Sequence, residues 1–220
     1  MPRLLNKYRG CSVIGYRKER PVIPEHELLQ QAQAGDCDAF DQLQQTLEPP
    51  VRRFVWRLIG VSDAEDDIVQ DSFIALYKNL GQIHPPEKLR PYLFRVVRNR
   101  CYDELRRLGR FKQLSLDEEP MESWAALNTP ADGSSQPEEV THWLILYLEV
   151  QQAMDRLPEL QRQTLILYVE EELSYAEIAE AMDTSIGTVK SRLYYAKKTL
   201  RQFLSPETVR VLETELNQEK

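Results

Sequence analysis

No run of 18 or more apolar residues occurs in this 220-residue chain, which excludes a membrane-spanning helix and predicts no membrane insertion. The first 24 residues lack an apolar h-region and a small-residue cleavage site, so no secretion signal is expected. Cysteine is scarce: Cys11, Cys37 and Cys101 are odd in number and far apart, fitting neither a disulfide framework nor a metal spacing. The expected compartment is a reducing cytoplasm. Histidine is as scarce, and His26, His84 and His142 are scattered. A Gly-rich phosphate loop, a nucleophile elbow and a His pair at metal spacing are all missing. Asp66 and Asp67 are adjacent, so on a helix they diverge by about 100° and cannot act on one atom. No enzyme, metal or cofactor is expected. Strand-like alternation and Asn-Gly hairpin signals are absent, which removes the alternating strands and helices of a phosphate-receiver domain.

What is present is helical periodicity and a segregation of charge. Helices are expected over Glu25–Gln45, Pro50–Ile59, Ala64–Asn79, Pro91–Leu108, Glu138–Arg156, Pro158–Glu170, Tyr175–Met182 and Ile186–Leu204. The formal net charge is −7, yet Lys88–Lys112 holds nine Lys/Arg against two acids, and Thr184–Gln202 is basic without a single acid. Between them, Gln113–Asp155 carries nine Asp/Glu and no Lys or Arg. Two basic islands flanking an acidic segment suggest two surfaces that meet one polyanion. The stretch containing Pro120, Pro130 and "ADGSSQP" has linker composition. The expected fold is all-α: a basic N-terminal extension (1–24), a helical domain (25–112), a flexible acidic linker (113–137), a second small helical domain (138–204) and a tail (205–220).

The second basic island lies in "LSYAEIAEAMDTSIGTVKSRLYYAKKTLRQFL". Ser174 with Glu177 three residues on makes a capping box, and Ser185 can cap the next helix. Val189, Leu193, Ala196 and Leu200 fall in one narrow arc, while Ser191, Tyr194, Tyr195 and Lys198 point away. Thr188, Lys190 and Arg192 flank the helix start. Two short helices, a tight turn and a polar N-terminal face on the second describe a helix-turn-helix, whose second helix fits a major groove. A basic helix alone reads as an ordinary solvated surface; the capped partner helix and short turn favour DNA.

On the Pro91–Leu108 helix, Leu93, Val96, Val97 and Leu105 lie inward, and Arg95, Asn99, Tyr102 and Arg106 lie opposite. Cations interleaved with an aromatic and an amide suit a single strand, whose phosphates meet Arg and whose bases stack. The alternative is a solvated face with Tyr102 packed on a neighbour. On the Ala64–Asn79 helix, Val69, Phe73, Leu76 and Leu80 form the core face. Asp63, Asp67, Gln70, Asp71 and Ile74 lie on the far side, an apolar residue ringed by polar ones like the centre of a small interface.

The segment "LPELQRQTLILYVEEELSYAEIAEAMDTSIGTVKSRLYYAKKTLRQFL" closely resembles region 4 of bacterial sigma factors of the small extracytoplasmic-function (ECF) type within the sigma-70 family. "LLQQAQAGDCDAFDQL" resembles the start of region 2, "DAEDDIVQDSFIALYKNL" the helix that docks on the polymerase β′ clamp helices, and "RPYLFRVVRNRCYDELRR" the segment that opens and reads the −10 element. Tyr92 stands where many relatives carry Trp. The resemblance implies that Ser185, Thr188, Lys190, Ser191, Arg192, Tyr195 and Lys198 meet the −35 duplex. It implies that Arg95, Arg98, Asn99, Tyr102 and Arg106 meet the −10 strand, and that Asp63, Asp67, Gln70, Asp71 and Ile74 meet core RNA polymerase. Partners so implied are the β′ clamp helices and β flap of the polymerase, promoter DNA and an anti-sigma factor. The alternative reading is a stand-alone helix-turn-helix regulator; a third is a purely protein-binding helical module.

Overall fold

In a computed structural model, residues 23–109 and 138–210 are described, with the side chains of 138–145 and 147 set aside. The expected linker, most of the N-terminal extension and the last ten residues lie outside that range. The described residues hold eight α-helices, a further helical stretch over 206–210 and two short 3₁₀ turns, without a strand. They are α1 (Glu25–Gln33), α2 (Cys37–Ile59), α3 (Glu65–Asn79), α4 (Leu89–Arg107), α5 (Glu138–Asp155), α6 (Glu159–Val169), α7 (Tyr175–Ala181) and α8 (Ile186–Phe203). None is long and apolar enough to cross a membrane.

The expected single helix over Glu25–Gln45 is two helices. Gly35 takes a left-handed φ of +98°, and Asp36 then caps α2, its Oδ1 accepting from the Ala39 N–H at 3.1 Å. Conversely, the expected break before Pro50 is absent, and α2 runs through both Pro49 and Pro50. Each proline removes a backbone donor. The helix nevertheless continues because Leu43, Leu47, Val51, Phe54 and Val55, each fully buried, give it an unbroken core face across that point.

α3 begins with Glu65, Asp66 and Asp67 in its first turn, where carboxylates favour the helix dipole. Arg52 clips this turn to α2, reaching Glu48 at 2.8 Å, Glu65 at 3.2 Å and Asp66 at 2.7 Å. On α4, Leu93, Phe94, Val97 and Cys101 are buried, and Phe94 meets Phe54 of α2 edge to face at 5.2 Å between centroids. Val96 and Leu105, expected on the same inward side, are half-buried. Burial pushes the Cys101 thiol up to about 12.

In the second unit, α7 opens on the expected capping box: the Glu177 N–H donates to Ser174 Oγ and the Ser174 N–H to Glu177 Oε2. Asp183, at φ +51°, turns the chain between α7 and α8, and Ser185 Oγ accepts from the Thr188 N–H at 3.1 Å to start α8. Val189, Leu193 and Ala196 are buried beneath α8 and Leu200 is partly so, the arc expected from the sequence.

The two units pack against each other, which the sequence did not indicate. α4 lies against α7, and polar pairs cross the seam. Arg57 reaches Glu170 at 2.9 Å, Arg53 reaches Glu171 at 3.2 Å, and Arg90 Nη1 donates to the Glu171 carbonyl at 3.4 Å. Tyr102 and Gln163 exchange hydrogen bonds at about 3.0 Å.

Candidate nucleic-acid and protein interfaces

The N-terminal turn of α8 is a pre-set polar surface. Ser185 and Thr188 hydroxyls hydrogen bond to each other at 2.9 Å, and Ser191 Oγ donates to the Gly187 carbonyl at 3.1 Å. The cap therefore orients two of the four hydroxyls expected at the −35 duplex. Lys190, Ser191, Tyr194, Tyr195 and Lys198 are exposed, as the helical arc requires. Tyr194 and Tyr195 stand edge to face at 5.3 Å, so Tyr194 joins the surface although the resemblance did not single it out. Lys197 is turned away, its ammonium 5.1 Å from the Tyr168 ring.

Arg192 behaves differently. It is half-buried, one guanidinium nitrogen is buried without a partner, and burial lowers its pKa. Arg98 and Tyr102 of α4 are near enough to act on its charge.

The α4 stripe is split by the same seam. Asn99 and Arg106 are exposed, and Arg95 is half-exposed with its guanidinium 5.5 Å from the Tyr92 ring. Tyr102, expected outward with them, is buried at 9% exposure, and its hydroxyl is bound by Gln163. Burial raises its pKa. Arg98 is half-buried over the Tyr102 ring at 5.7 Å, its Nη1 donates to Met182 Sδ at 3.6 Å, and burial lowers its pKa. The helical arithmetic holds for α4 by itself. What it omits is that the second unit covers the edge of the stripe bearing Arg98 and Tyr102.

The far face of α3 is open. Asp63, Asp67, Gln70 and Asp71 are exposed, and Ile74 is 42% exposed. Asp71 lies 3.9 Å from Arg100, a loose, solvated pair. Gln70 and Ile74 line a groove of about 460 Å³ between α2 and α3, with Phe40, Gln44, Val69 and Tyr77 among its other walls. Ile74 thus joins Phe40, Val69, Phe73 and Tyr77 in the apolar part of a groove whose other walls are Gln44, Glu48, Arg52, Asp66 and Lys78, and is not an isolated exposed residue. Phe40 and Tyr77, edge to face at 4.9 Å, come from two helices, which is why one helix's pattern could not reveal them.

The stretches that carry the three surfaces match known family models. Residues 43–111 match the family model described as Sigma-70 region 2, and residues 147–200 match Sigma-70, region 4. The ECF RNA polymerase sigma-E factor of Salmonella typhimurium is 30% identical over 188 residues, 84% of this chain and 96% of that protein. The ECF RNA polymerase sigma factor SigW of Bacillus subtilis is 27% identical over 176 residues, 80% of this chain and 94% of that protein. Among solved structures, the sigma factor RpoE in complex with the anti-sigma factor NepR from Bartonella quintana superposes with a TM-score of 0.53 at 25% identity, over 74% of this chain and 95% of that one. CnrH in complex with the cytosolic domain of CnrY shares the fold, with a TM-score of 0.54 at 22% identity over 81% of this chain and 95% of that one.

Proposed function

This chain belongs to the ECF type of the sigma-70 family of RNA polymerase sigma factors, and on that premise we propose how its surfaces divide promoter recognition. α8 enters the major groove of the −35 element, presenting Ser185, Thr188, Lys190, Ser191, Arg192, Tyr195 and Lys198. α4 opens and holds the −10 strand with Arg95, Arg98, Asn99, Tyr102 and Arg106. The open α3 face, with Asp63, Asp67, Gln70, Asp71 and Ile74 beside the α2–α3 groove, docks on the β′ clamp helices of core polymerase, and the second unit also meets the β flap. An anti-sigma factor is proposed as a further partner, because the RpoE relative is solved with one. The protein itself contributes no catalysis. Joining two weak DNA sites on one carrier raises apparent affinity through effective concentration.

The observation that carries this reading is the doubly capped helix-turn-helix, whose second helix keeps a polar, basic face in solvent above a buried apolar arc. Run-off transcription on genomic promoter fragments, with core polymerase plus and minus this protein, tests it. Transcripts that depend on the protein are expected; DNA binding without any such transcript would instead fit a stand-alone regulator.

Two substitutions separate the DNA roles. Arg192→Ala costs about 1–3 kcal/mol at one or two −35 base pairs and relaxes specificity there, whereas Lys198→Ala weakens all sequences alike. A base-by-base binding scan in which the Arg192→Ala profile runs parallel to wild type would remove direct readout by Arg192. Asn99→Ala leaves −35 duplex binding intact and reduces permanganate reactivity of the −10 thymines. An unaltered footprint would take Asn99 off the strand-holding surface.

A further inference from the structure

The connection from α3 to α4, residues 80–88, alternates between anchored and exposed positions. Leu80 and Ile83 are buried, as is Leu89 at the head of α4. Gly81, Gln82, His84, Glu87 and Lys88 are exposed. Pro85 and Pro86 restrict the backbone between them.

Its polar support comes from α1, which packs on both of its 3₁₀ turns, Leu80–Gln82 and Pro86–Lys88. Gln33, the last residue of α1, donates from Nε2 to the Leu80 carbonyl at 2.8 Å and to the Ile83 carbonyl at 3.1 Å. Two carbonyls call for two donors, which a side-chain amide supplies and a carboxylate or thioether does not. At the other end of α1, Glu25 accepts from Arg90 Nε at 2.9 Å and from Nη2 at 2.7 Å. A carboxylate and a guanidinium joined by two bonds are fixed in orientation as well as distance. Arg90 stands in the first turn of α4, so one short helix grips the connection at its start and just past its end, from 47 to 65 positions away in sequence. Packing alone needs no such pairing, since α1 already buries Leu28, Leu29 and Ala32.

What the connection delivers is Lys88. Its φ of −77° and ψ of −7° lead directly into α4. At about 100° per residue, Lys88, Tyr92, Arg95 and Asn99 fall within about 60° of one another. Lys88 and Asn99 are exposed, and Tyr92 and Arg95 half-exposed. A cation, an aromatic ring, a second cation and an amide in succession suit the phosphates and bases of a single strand.

We propose that Gln33 and Glu25 are positioning residues for the −10 strand: they hold the 80–88 connection so that Lys88 meets a phosphate at the start of the α4 track. Neither touches DNA itself. The proposal rests on the strand-holding reading of α4.

The test uses the full chain assembled with core polymerase, carrying Gln33→Met, Glu25→Arg, or Glu25→Arg with Arg90→Glu. Gln33→Met keeps length and charge and removes both donors. Glu25→Arg sets two guanidiniums together, and the double variant restores the pair with its polarity reversed. Amide hydrogen exchange reads Ile83, His84 and Lys88, each of which donates within the connection. Fluorescence anisotropy reads binding of a promoter fragment that the run-off assay shows to be transcribed, unpaired over its −10 element, and of the same fragment ending upstream of −10. Circular dichroism checks that helicity is kept. The three amides exchange faster in Gln33→Met and in Glu25→Arg, and the charge swap slows them again. If the loosened connection holds the productive arrangement in about one molecule in five, the unpaired fragment binds about fivefold more weakly, while the upstream fragment binds as before. For Glu25→Arg, electrostatics alone gives the opposite sign, because the variant gains positive charge. Exchange as slow as wild type in both folded single variants would overturn the brace. Faster exchange with unaltered strand binding would overturn the positioning role. Asn99→Ala then tells the two readings apart: weaker strand binding in that variant leaves the α4 reading standing, and unchanged binding removes it as well.

Discussion

Asp67→Lys with Asp71→Lys is expected to abolish capture of this protein by purified core polymerase. Both carboxylates are exposed on α3, and Asp71 lies 3.9 Å from the exposed Arg100, so neither change removes a buried ion pair among the described residues. Surface substitutions of this kind move stability by no more than about 0.5 kcal/mol, and the helicity and thermal midpoint should barely change. The effect on docking is far larger for two reasons. The double change alters the local charge by four, and it does so beside the groove lined by Gln70, Ile74, Phe40 and Tyr77. The exposed carboxylates beside the groove call for a basic protein surface, although Arg52 and Lys78 also line it, and like charges across an interface cost several kcal/mol. A pull-down at physiological salt measures it. Retention equal to wild type would make this face merely solvated and place docking elsewhere.

Phe94→Ala destabilises the first unit by about 3–5 kcal/mol, the usual cost of deleting a buried aromatic. Phe94 is 1% exposed and its edge-to-face partner Phe54 is fully buried, so the truncation opens a cavity inside the core. For a unit of this size each kcal/mol lowers the midpoint by about 4–8 °C, so a drop of more than 10 °C is expected. Calorimetry reads the shift directly. The loss bears on function because Phe94 fixes α4 to α2 and so sets where Asn99 and Arg106 stand. A midpoint within 3 °C of wild type would mean that α4 is held by contacts other than this one.

Local signals in the sequence were dependable where a single helix decides the outcome. The Ser174–Glu177 box, the Ser185 cap and the buried arc of Val189, Leu193 and Ala196 each depend on residues within one or two turns, and each stands as expected. The exposed face of α3 was legible for the same reason. The break at Gly35–Asp36 was missed because periodicity runs on across it, although Gly followed by Asp carried the signal for a stop and a new cap. Pro49 and Pro50 were over-weighted, since tertiary burial of their helix outweighs two lost donors. Tyr102, Arg98 and Arg192 illustrate a different limit. Their positions on their own helices were read correctly, but their surroundings come from residues some 60 to 90 positions away. The groove beneath Ile74 was hidden likewise, because Phe40 and Gln44 belong to another helix. The Arg57–Glu170 and Arg53–Glu171 pairs had no sequence signal at all; each looks like an ordinary surface charge until the two units meet.

Gln163 has a bearing on how selectively the two units pair. It sits among Thr164, Leu165, Ile166 and Leu167, all buried. With the units together its amide is satisfied by Tyr102 and Glu159. A leucine there could rest against any apolar neighbour, whereas an amide with fixed donors and one acceptor is satisfied only where suitable partners stand, here Tyr102 and Glu159. The glutamine therefore makes the pairing of α6 with α4 a matter of matching and not of stickiness.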